Sequence, residues 1–112
     1  MINDALVIIQ QRVRDARATL ESPDQPQLAT VDAMLLLRSA EQAAGDMPSE
    51  LVVDAERFQA VLDVRNELGC CLLAAERLGE AGVESRVVVG ILQRGATTVE
   101  EILGRLSVAA RR

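Results

Sequence analysis

The sequence predicts an all-α fold: a compact bundle of four to five helices with a long central third helix. Three observations lead there. Apolar residues recur at helical spacing along most of the 112-residue chain. The three prolines, Pro23, Pro26 and Pro48, fall between the periodic stretches and not within them. The stretch from Ser49 to about Ala81 sorts by helical angle into an apolar arc and a polar one.

Residues 3–21 read as the first helix. Ile2, Leu6, Ile9, Val13, Ala16 and Leu20 repeat at alternating spacings of four and three, the pattern of a packing seam. Asn3 or Asp4 can cap it, and Gln10, Gln11, Arg14 and Asp15 fall on the water side. The segment ESPDQPQ then excludes continuation through its two prolines.

The second helix spans roughly Leu28 to Ala44, with Gly45 as its terminator and Pro48 beyond. It is apolar on two sides. Leu28, Val31, Met34 and Leu35 form one, and Ala33, Leu36, Leu37, Ala40 and Ala44 form the other. A short chain has few elements with which to cover both, so one side is expected to meet a partner. The expected interface comprises Leu36, Leu37, Ala40, Arg38 and Arg65, with Arg38 beside Val31 and Leu35 and Arg65 at the rim of the third helix's apolar arc.

The third helix is the longest run without proline. Ser49 can cap it, with Glu50 favoured by the helix dipole, and Asp54 is a rival cap four or five residues later. Val61, Val64, Leu68, Cys71, Leu72, Ala75 and Leu78 fall in the apolar arc. Glu56, Gln59, Asp63, Asn66, Cys70 and Arg77 fall opposite. Gly69 in mid-helix marks a kink, a close crossing or a break, and one continuous helix is favoured.

GEAG around Gly79 and Gly82 ends that helix. Val87-Val88-Val89 has high β propensity, but a lone strand finds no partner. A short helix over residues 86–94 is therefore expected, capped by Ser85, ended by Gly95, with Val88, Ile91 and Leu92 inward. A last helix then begins at Thr97 or Thr98, each of which fits a capping box with Glu100 or Glu101. Val99, Ile102, Leu103 and Leu106 form its buried face.

Composition bounds the function. A chain of this length suits one helical domain, 1–112. There is no histidine, lysine, tyrosine or tryptophan, and Phe58 is the lone aromatic residue. Without histidine the commonest general base and metal ligand is missing, and two cysteines cannot close a tetrahedral zinc site. Adjacent Cys70 and Cys71 point about 100° apart on a helix, which excludes a relaxed disulfide between them. Both read as reduced thiols, with Cys71 acting as a small hydrophobe. No phosphate-cradling glycine loop and no activated nucleophile is legible. The expectation is a protein without enzymatic activity, cofactor or metal. The start of the chain lacks a basic n-region, and no stretch approaches a spanning length, so a cytoplasmic protein off the membrane is expected.

Charge is uneven. Residues 46–82 hold eight acids against three arginines, whereas residues 83–112 hold three acids against five arginines. The function class left standing is a small interaction module (adaptor, regulator or chaperone-like binder), working as a homodimer or on another protein. The stretch 72–95, LLAAERLGEAGVESRVVVGILQRG, resembles the helix-turn-helix of excisionase-type DNA-binding modules. Ala74-Ala75-Glu76-Arg77-Leu78-Gly79 opens it, and Arg94-Gly95 closes it. The resemblance implies a bacterial DNA-binding regulator touching DNA through Ser85, Arg86 and Arg94. Its turn is two residues longer than the family's pattern. A net charge of −5 opposes phosphate contact, and nucleic acid is therefore the less favoured partner.

Overall fold

The computed structural model describes the backbone of residues 2–21, 24–46 and 55–110, and the side chains of 6–21, 24–46 and 55–105. Four helices account for almost all of it: α1 (Ile2–Leu20), α2 (Pro26–Gly45), α3 (Ala55–Glu80) and α4 (Ser85–Ala110). Among the described residues there is no strand.

The helices run up and down around one core. Gln93 Nε2 donates to the carbonyl oxygen of Leu20 at 2.8 Å, and Arg17 meets Glu100 at 2.7 Å, which sets α1 antiparallel to α4. Arg38 pairs with Glu76, and Glu41 abuts Gly69, which sets α2 antiparallel to α3. Cys71 abuts Gly95 while Asp63 and Arg105 line one groove, which sets α3 antiparallel to α4. Across the ring α2 meets α4, and α1 and α3 barely touch. At 1.5 Å per residue, α3 and α4 are each about 39 Å long, close to the 44 Å long axis of the molecule.

The expected apolar faces of α1 and α3 supply much of the core; on α4, Ile91, expected inward, stays partly exposed while Val89 and Ala96 are buried. Ile9, Val13, Ala16 and Leu20 are buried on α1, as are Val61, Val64, Leu68, Cys71, Leu72 and Ala75 on α3. Val88, Val89, Leu92, Ala96, Val99 and Leu103 complete it from α4. All 20 residues of this cluster are small or aliphatic, and among the described residues no polar side chain is fully buried.

Three expectations about the elements need correction. The third helix is long, but it is not set apart as the central one: α3 and α4 have 26 residues each. The expected break at Gly95 does not occur. α4 runs through it, because Gly95 faces Cys71 where a side chain would not fit, and the Thr98 hydroxyl donates back to the Arg94 carbonyl instead of capping a new helix. Gly45 does not terminate α2 through a left-handed turn. Asp46 does so in the right-handed region, its N–H bonded to the Gln42 carbonyl.

Other punctuation behaves as its chemistry requires. Pro26 opens α2, where its missing N–H has no intrahelical partner to lose. Gly82 adopts φ +79° after α3. The Gly82 N–H bonds to the Gly79 carbonyl and the Val83 N–H to the Leu78 carbonyl, a Schellman turn that only glycine enters without strain. Gly69 lies inside a continuous α3. A Cβ there would sit 3.0 Å from Glu41 Oε2, so the Glu41 carboxylate of α2 reaches over this glycine. The expected caps Ser49 and Asp54 lie outside the described residues.

Candidate interaction surface

α2 decides which surface the bundle offers. Its two apolar sides separate as the sequence requires, but the packing chooses between them. Leu37 and Ala40 are 0% exposed, and Leu36 is half-buried against the same cluster. These three residues were part of the expected interface; the chain's own helices enclose Leu37 and Ala40, so neither forms a surface of the folded subunit. The opposite ridge is the open one. Leu28, Val31 and Leu35 are 59, 57 and 63% exposed, and Met34 turns back against the core.

The physical reason lies in side-chain size. The row Ala33–Leu37–Ala40–Ala44 is small enough for α1, α3 and α4 to approach, and it stays apolar over its whole length. The ridge Leu28–Val31–Leu35 continues into Arg38 and Gln42 and cannot serve as core beyond two turns.

The arginines flanking this surface are tied down within the chain. Arg38 forms an ion pair with Glu76 of α3, with both side chains about half exposed. The Arg65 guanidinium lies over Gly45, in van der Waals range of where a Cβ would stand. Both lay stems along the α2–α3 seam with their heads in water. Leu73, 49% exposed, lies between Gly69 and Glu76, which both meet α2. It adds an apolar group to the α3 flank.

The residues of the helix-turn-helix reading are not brought together. Ser85 and Arg86 stand at the start of α4, in an open cavity of about 500 Å³ shared with Gln25, Pro26 and Leu28. Arg94 is exposed more than two turns farther along. Helices of a DNA-binding helix-turn-helix cross at about 90–120°. Here α3 and α4 pack along their length as an antiparallel hairpin, and Val89, three residues after Arg86, is buried.

Neither cysteine forms a disulfide; Cys70 is exposed and Cys71 buried. Burial pushes the Cys71 thiol up to about 11, helped by the charge of Glu67 and by Cys70. A thiol so placed is a weak nucleophile near neutral pH. Among the described residues no group of three or more His, Cys, Asp or Glu side chains converges as a metal site. No helix among them is long and apolar enough to cross a membrane. Comparison with known proteins adds no relative: no family model, curated protein or solved structure matches this chain.

Proposed function

We propose that this chain is a non-enzymatic protein-interaction module, an adaptor, small regulator or chaperone-like binder, acting through the outer ridge of α2. The observation that carries the reading is the triplet Leu28, Val31 and Leu35, more than half exposed on one line of one helix. Single exposed aliphatic residues are ordinary on soluble proteins. Three at spacings of three and four make an anchor pattern of the kind helices use when they dock on a partner. A homodimer is the simplest assembly that would cover it, and a cytoplasmic setting fits two free thiols.

Leu35→Glu tests the reading. Leu35 lies outside the core, so the variant keeps the helical circular dichroism of the parent and, at concentrations where the parent is dissociated, its thermal midpoint. It loses the parent's self-association or its binding to a co-purifying protein. Association unchanged in Leu35→Glu removes the ridge from the function. The alternative, DNA binding through Ser85, Arg86 and Arg94, draws less support from a hairpin in which Arg94 lies more than two turns from the other two. It returns if duplex DNA shifts at physiological salt and Arg86→Ala abolishes the shift.

A further inference from the structure

We draw no further inference here: the strongest candidate, the exposed α2 ridge of Leu28, Val31 and Leu35, has an apolar spacing that any partner helix would fit, and nothing in the structure shows what covers it.

Discussion

A Cβ placed on Gly95 of α4 would stand 2.5 Å from Sγ and 2.9 Å from Cβ of Cys71 on α3, well inside van der Waals contact. The two helices of the hairpin come too close at this point for a side chain on α4. Gly95→Ala should therefore destabilise the fold by about 1–3 kcal/mol through overpacking, despite the gain in helix propensity of about 1 kcal/mol. Urea denaturation measures it. Pairing the change with Cys71→Ala relieves the Sγ clash and should recover part of the loss; strictly additive effects would place the strain elsewhere.

The two sides of α2 should respond oppositely to substitution. Leu37 is fully enclosed, so Leu37→Ala removes buried methyls, leaves a cavity and costs about 2–5 kcal/mol. Leu35→Ala, on the exposed ridge, should change the stability of the single subunit by about 0.5 kcal/mol or less. Thermal melts at low protein concentration compare the two. Equal losses would mean that the ridge is covered by the chain itself.

Arg17 and Arg38 both form ion pairs, in different surroundings. Glu100, the partner of Arg17, is about three-quarters buried, and its Oε1 has no hydrogen-bond partner. Arg17→Ala leaves that carboxylate without its counter-charge and should cost about 1 kcal/mol. The Arg38–Glu76 pair is more exposed on the Glu side, and breaking it should cost about 0.5 kcal/mol or less, with the effect fading in salt. Double-mutant cycles with Glu100→Ala and Glu76→Ala measure each coupling, and the first should be the larger.

The two cysteines should separate by reactivity. An aromatic disulfide reagent at neutral pH titrates Cys70 at once and reaches Cys71 only when the chain unfolds. Cys71 binds its proton more tightly in the folded state, about 11 against an ordinary 9.0. Its contribution to stability is whole below pH 9 and declines as the pH rises from 9 towards 11. The parent should lose stability over that window more steeply than Cys71→Ala. Parallel curves would show that the thiol ionises no differently when folded.

The core faces of α1 and α3 were legible because each carries one continuous apolar stripe, with only scattered apolar residues such as Val7, Ile8, Phe58 and Leu73 outside it. A helix with one apolar side has a single way to bury it. Hence Val61, Val64, Leu68, Cys71, Leu72 and Ala75 are in place, with Glu56, Gln59, Asp63, Asn66 and Cys70 outside. Gly95 was misread for the converse reason. In a sequence, a glycine that ends a helix and a glycine that admits a neighbouring helix are the same letter, and only the position of Cys71 on another element distinguishes them.

By itself, then, the sequence determined that the chain is helical and which residues of the one-sided helices face inward, because helical period and apolar transfer act locally along the chain. Tertiary structure alone decided which side of α2 is core and which is surface. Both sides are greasy enough to bury, and the choice depended on which one, with Ala33, Ala40 and Ala44 beside Leu37, let three other helices come close. That choice moved the candidate contact from Leu36, Leu37 and Ala40 to Leu28, Val31 and Leu35.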